Sequence, residues 1–221
     1  MQEPSIIREN VETLLDKKFI RVYDLHYAPG RSYYNASRRS LEDLAAVKND
    51  EEFRNMIPDA ASCVVVVRQK NEPDRLLLAY EYRYPAGRYL LGIPAGLVDP
   101  ADREKPNPAL ETARREIFEE TGLTVKESDR LFLINPLVFS TPGMTDESNA
   151  LVCAVVDVED LNWMSREGNE GAECIRDFKL ITAEEAEKLL RDGRDENGNY
   201  YSLYTWAALM MFATKRYEDK E

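Results

Sequence analysis

The sequence predicts an α/β fold, a mixed sheet between helices, preceded by a small β-rich N-terminal extension. Three observations carry that expectation. Ser62–Gln69 (SCVVVVRQ) is a continuous apolar run, the pattern of a strand covered on both faces. Strands and helices alternate irregularly and join through hairpins, without the steady rhythm of a doubly wound parallel sheet. Asn107–Leu123 (NPALETARREIFEETGL) is a helix with both ends marked: Asn107 can cap it, Pro108 suits its first position, and Gly122 can close it.

Taken in order, residues 1–16 carry apolar groups at roughly helical spacing. Residues 17–27 are rich in β-branched and aromatic side chains and predict a strand. Pro29-Gly30 makes a turn, and Arg31–Arg38 returns as a second strand. A small antiparallel piece buries little by itself. Residues 1–58 are therefore expected to pack either on the main domain or on a second subunit. Asp50–Ile57 is a short helix or loop.

The main domain, residues 59–221, opens with the apolar strand. Asn71 and Pro73 mark a turn, and Arg75–Tyr82 (RLLLAYEY) completes a hairpin. Tyr89–Ile93 is a short strand running into Pro94-Ala95-Gly96, and Asp99–Pro106 is a charged loop leading to the marked helix. Leu131–Val138 and Asn149–Asp157 are strands on either side of the polar segment Ser140–Glu147. Ser165–Glu173 is a polar loop before a last strand, Cys174–Ile181. Thr182 and Glu185 form a capping box for a helix through Arg191. Asp192–Asn199 lacks the glycine and glutamate spacing of a calcium loop and is expected to be a surface turn. Tyr201–Arg216 is the closing helix.

Composition narrows the function. Of 221 residues, 43% are hydrophobic and 32% charged, as in a globular protein with a real core. Acidic residues outnumber basic ones by 41 to 29, a net charge of −12, which argues against a nucleic-acid surface. Cys63, Cys153 and Cys174 are odd in number and far apart, with no metal-ligand spacing, so free buried thiols in a reducing cytoplasm are expected. No signal peptide or membrane-length run appears, and no membrane partner is expected. The single histidine, His26, sits in a predicted strand without partners for a nucleophilic triad.

The chemistry gathers in the marked helix. Glu116, Glu119 and Glu120 stand at i, i+3 and i+4, so their carboxylates share a face. Two of them fall beside the negative end of the helix dipole, where cationic side chains are favoured. Such a set is unfavourable unless a cation sits on it, and hard divalent ions such as Mg²⁺ take oxygen ligands of this kind.

Arg115 to Leu123 (REIFEETGL) fits R-E-U-x-E-E-x-G-U at nine consecutive positions, where U is aliphatic, and so resembles the second half of the Nudix box. The first half departs from G-x5-E-x7. Asn107 stands where a glutamate is usual, and Gly96 lies eleven residues before it instead of six, an insertion of five. Tyr82-Arg83-Tyr84-Pro85, Ile93-Pro94-Ala95-Gly96-Leu97 and Ser140–Glu147 are similar to segments of the ADP-ribose pyrophosphatase branch of that family.

This resemblance, over most of residues 17–215, implies an α/β/α sandwich. It implies Mg²⁺-dependent hydrolysis (Mn²⁺ being an alternative) of a nucleoside diphosphate sugar such as ADP-ribose to AMP and a sugar phosphate, by a homodimer. It also implies site roles. Ala95 (through its carbonyl), Glu116 and Glu120 would hold metal. Glu119 would be catalytic, oriented by Arg115 four residues earlier. Arg83, Arg115 and Glu147 would meet the substrate, and Tyr33, Tyr34 or Tyr84 could stack on its base. Glu173, or else Glu170, would be the general base. Two rival readings are a Nudix-fold module that senses such a ligand without hydrolysing it, and a hydrolase of nucleoside triphosphates or dinucleoside polyphosphates.

Overall fold

A computed structural model describes residues 5–162 and 174–219. The chain divides into two units, residues 1–59 with 137–149, and residues 60–136 with 150–221.

The first unit holds a three-stranded antiparallel sheet, β1 (Val11–Asp16), β2 (Arg21–Ala28) and β3 (Arg31–Ser37), in that order, and a one-turn helix α1 (Asp50–Arg54). The helical spacing expected over residues 1–16 is corrected. Val11–Asp16 is a strand, almost wholly exposed, whose conformation comes from pairing with β2 and not from an apolar face of its own. Tyr23, Leu25 and Leu44 form a small core. Arg39, buried, ties the unit together through Asp59 (3.0 Å), Ser148 Oγ (3.2 Å) and the carbonyl of Ile57 (3.1 Å). His26 lies on β2 with its Nε2 3.9 Å from carboxylate oxygens of Glu12 and Asp24.

The second unit is built on β4 (Ala60–Gln69), β5 (Arg75–Arg83), β6 (Arg88–Gly92), β7 (Ala95–Leu97), β10 (Ile175–Ile181) and the greater part of β8 (Arg130–Phe139) and β9 (Ser148–Val158). Its sheet runs β10-β5-β4-β9-β8, with β6 added to β5 and β7 to β4. Its helices are α2 (Pro100–Arg103), α3 (Pro108–Thr121), α4 (Ala183–Asp192) and α5 (Leu203–Ala213). Successive strand residues point to opposite faces, and the apolar run of β4 is shared out accordingly. Val64 and Val66, with Leu76, Leu78 and Val155, pack against Ala186 and Leu189 of α4 and Ala208, Leu209 and Phe212 of α5. Cys63, Val65 and Val67, with Leu77 and Val152, pack against Ala109, Ala113 and Ile117 of α3. A sheet with α3 on one face and α4 and α5 on the other is the expected α/β/α sandwich.

Three local expectations are revised. The loop Asp99–Pro106 contains a turn of helix, α2. Asn107 is at the N-cap of α3, but its side chain makes no capping bond; its carbonyl receives the N–H groups of Leu110 and Glu111 instead. In the turn after α4, Asp195 is buried, not solvated. It accepts the Tyr80 hydroxyl at 2.8 Å and backbone N–H groups of Asn197 and Asn199. The capping box of Thr182 and Glu185 is present as expected. Cys63 and Cys153 are buried free thiols, whereas Cys174 is exposed.

Candidate active site

Helix α3 presents two neighbouring stripes. Ala109, Ala113 and Ile117, four residues apart, meet the sheet. Thr112, Glu116 and Glu120, also four apart, form the next stripe and are buried too, Glu116 at 6% and Glu120 at 5% exposure. Carboxylates are almost never this buried without compensation. The turn Pro94-Ala95-Gly96, held against β4 by β7, supplies part of it. The Ala95 N–H donates to the Glu120 carboxylate, 3.3 Å from the nearer oxygen. Gly96 is a glycine for a steric reason: a Cβ there would fall 1.8 Å from the Glu116 carboxylate.

Arg115 supplies more, at Glu116. Its Nη1 donates to Glu116 Oε1 (2.7 Å) and to Glu119 Oε2 (2.9 Å). Nη2 donates to the Leu97 carbonyl (3.0 Å) and, with Nε, to Asp102 Oδ2 (3.1 and 3.3 Å). Asp99 stands 3.5 Å away. Burial works against the Arg115 charge. The Glu116 charge and hydrogen bonds to Asp102, Glu119 and Glu116 outweigh burial and hold its pKa above the ordinary value. One guanidinium thus serves four carboxylates. The same field reaches Cys63 beneath: burial, with the charges of Glu120 and Glu116 adding, pushes its thiol well up and keeps it neutral.

The set fits a hard divalent cation. Its donors are oxygens, its charge is strongly negative, and it is walled by a residue without a side chain. Glu116 and Glu120 would hold the ion, with the Ala95 carbonyl and Glu119 within the same turn-and-helix arrangement.

The other expected residues are placed as follows. Arg83, at the end of β5, is half exposed and paired with Glu81 at 2.6 Å. Arg83, Glu81 and Ala95 border one cavity of ≈ 30 Å³, about the volume of a single water. A larger cavity, ≈ 560 Å³, is lined by residues such as Lys179, Lys188 and Asp195, and no glutamate of α3 borders it. Its charges are mixed and Lys179 is already paired there with Glu196 at 2.6 Å, so the chemistry is assigned to the carboxylates of α3. Glu147 belongs to the first unit, where it is paired with Arg38. Tyr33, in the same unit, donates its hydroxyl to the Gly143 carbonyl at 2.7 Å, and Tyr34 is exposed. Tyr84 is exposed and stands edge-on to Tyr82. Glu170 and Glu173 lie outside the described residues. Two contacts were missed from sequence. Glu81 carried a weak signal, its position two residues before Arg83 on one strand face. Asp102 carried none beyond lying in the insertion.

Comparison with known proteins agrees with this geometry. The NUDIX domain model matches residues 56–204. The ADP-ribose pyrophosphatase of Saccharomyces cerevisiae is 32% identical over 121 residues, 52% of this chain and 48% of that protein. The CMP-5'-(N-acetyl-N-hydroxy-3-aminopropyl)phosphonate hydrolase of Streptomyces rubellomurinus is 34% identical over 155 residues, 70% of this chain and 67% of that one. The chain spans about half the length, or less, of the first curated relatives it matches. A solved structure described as an ADP compounds hydrolase superposes with a TM-score of 0.57 at 20% identity, over 99% of this chain and 96% of its own, a likeness of fold. With α3 carrying the motif and the family model spanning well over half of its length, the chain belongs to the NUDIX family.

Proposed function

We propose that this chain hydrolyses the diphosphate bond of ADP-ribose or a related nucleoside diphosphate sugar, releasing AMP and a sugar phosphate. The observation that carries this reading is the buried pair Glu116 and Glu120 against the Ala95-Gly96 turn. That pair makes sense energetically as a holder for a divalent cation, Mg²⁺ or Mn²⁺. When bound, such an ion neutralises phosphate oxygens, lowers the pKa of a bound water and aligns attack with departure. Arg115 keeps Glu116 and Glu119 aimed. Arg83 exchanges Glu81 for the substrate phosphates, whose geometry its planar fork matches. Glu147 is a further substrate contact. Glu173, with Glu170 second, is the base that takes the proton of the attacking water; hydrolysis undiminished in the double alanine variant would remove that assignment.

The substrate class rests on the names of relatives, an ADP-ribose pyrophosphatase in yeast and an ADP-sugar pyrophosphatase in mouse. A second reading has its own support. The relative acting on a CMP-linked phosphonate is matched over more of both chains than those two, so the nucleotide need not carry adenine. We also infer a homodimer formed through the β-rich unit, residues 1–58, beside a hydrolase domain of residues 59–221. We infer a cytoplasmic location, which the free thiols Cys63, Cys153 and Cys174 support; among the described residues no helix is long and apolar enough to cross a membrane.

The test is a panel. The protein is incubated with Mg²⁺ and ADP-ribose, other nucleoside diphosphate sugars, CMP-linked phosphonates and nucleoside triphosphates, and mononucleotide and phosphate release are measured. Nucleoside monophosphate should appear from a diphosphate-linked substrate, and Glu120→Gln should slow it at least about 100-fold, since charge stabilisation worth several kcal/mol is lost. Binding of ADP-ribose without turnover, unchanged in Glu120→Gln, would mean a sensing module instead.

A further inference from the structure

We infer that Asp102, in the lengthened segment between Gly96 and Asn107, is a positioning residue: it fixes Arg115 and, through it, Glu116 and Glu119. The inference rests on the function proposed above. The insertion is not a slack loop. Pro100 starts a turn of helix, α2, and Asp102 in that turn has a side chain only 13% exposed. Its Oδ2 accepts from Thr112 Oγ1 at 2.9 Å and from Arg115 Nη2 and Nε at 3.1 and 3.3 Å. Thr112 belongs to the same stripe of α3 as Glu116 and Glu120.

The guanidinium is therefore divided between its two ends. One end, Nε with Nη2, rests on Asp102. The other, Nη1, reaches Glu116 at 2.7 Å and Glu119 at 2.9 Å. A planar fork held at one end can turn only slightly at the other. Remove the Asp102 charge, and Nη2 keeps only the Leu97 carbonyl and a 3.5 Å approach to Asp99. The fork can then swing, and the two glutamates lose their common orientation.

The two departures from the motif lie side by side here. Asn107 removes a carboxylate from the start of α3, where its side chain makes no capping bond. The lengthened segment before it sets a carboxylate, Asp102, against the helix at Thr112 and Arg115.

The experiment compares wild type, Asp102→Asn, Asp102→Glu and Thr112→Val. It measures kcat and KM for ADP-ribose with Mg²⁺, Mn²⁺ affinity by calorimetry without substrate, and metal-free melting. In Asp102→Asn, kcat is expected to fall about 10- to 100-fold with KM within about 3-fold, the mark of misaligned groups and not of lost substrate binding. Mn²⁺ affinity should weaken several-fold. Asp102→Glu should recover most of both. Thr112→Val, which loses the hydroxyl anchor but not the charge, should stay within about 3-fold of wild type. Unchanged kcat and Mn²⁺ affinity in a folded Asp102→Asn would overturn the inference, as would an equal fall in Thr112→Val. If Asp102→Asn does not fold, Asp102→Ser is judged by the same criteria. If wild type turns over no substrate, the functional reading fails, and the difference in Mn²⁺ affinity still decides the role of Asp102.

Discussion

Gly96 is where the smallest change should have the largest effect. A Cβ at this position would overlap the Glu116 carboxylate at 1.8 Å, and both groups belong to well-packed elements. Gly96→Ala must therefore push Glu116 off its place. A displacement of about 1 Å at a reacting centre can cost about 100-fold, so kcat should fall by about that factor while circular dichroism shows the fold kept. Full activity in Gly96→Ala would mean that Glu116 is not needed where it stands. Glu120 gives the opposite sign on stability. It is buried one helical turn from Glu116, so two carboxylates repel each other across that turn, and a bound cation lowers that repulsion further than Arg115 and the Ala95 N–H do. Metal-free Glu120→Gln should melt above metal-free wild type. Saturating Mg²⁺ should stabilise wild type, by about 2.7 kcal/mol at 100 times its dissociation constant, and leave the variant nearly unmoved. Differential scanning fluorimetry with and without Mg²⁺ reads both differences.

Among elements, the turn between α4 and α5 makes a pH-dependent brace. Burial raises the Asp195 pKa, but hydrogen bonds from the Asn199 side chain and backbone, from Tyr80 and from the Asn197 backbone outweigh it and hold the group below its ordinary 3.8. A depressed carboxylate contributes stability that is present above the unfolded value and is lost as pH falls through the folded one. Asp195→Asn should thus melt roughly 3–12 °C below wild type at pH 7, from a charged hydrogen-bond set worth about 1.5–3 kcal/mol. The gap should begin to close as pH falls below about 3.8; a gap that stays constant to pH 3 would exclude the charge as its source. Sequence pattern could not reveal this brace, because Tyr80 and Asp195 are joined only by the fold. What it did reveal follows from local rules. The face-to-face sharing of Val64, Cys63 and their neighbours was legible in an unbroken apolar run, and the ends of α3 in Pro108 and Gly122. Strand β1 was illegible because its exposed residues carry no alternation. The glutamates of the site were legible at helical spacing. Asp102 was not, since a carboxylate in a charged insertion looks like any solvated residue until α2 folds it against Thr112.

At the scale of the whole molecule, the inferred homodimer has a source on the first unit. Leu14, Leu15, Phe19 and Ile20 are exposed there by 38–66%, along an edge strand of its sheet and the turn that follows. An exposed edge with clustered apolar side chains invites pairing. Two physical terms oppose each other in such a pairing. Burial of those side chains favours it, while the net charge of −12 on each copy resists it. Salt screens the second term and leaves the first intact, so dimerisation should strengthen with ionic strength. Light scattering after size exclusion should give twice the 25.4 kDa chain mass. The dimer fraction at low micromolar concentration should rise between 20 and 300 mM salt, about a threefold fall in Debye length or more. Phe19→Asp combined with Ile20→Asp should give monomers at all salt concentrations. A dimer that weakens with salt would be held by ion pairs, and one that survives the double variant would use another surface; either result removes this edge as the interface.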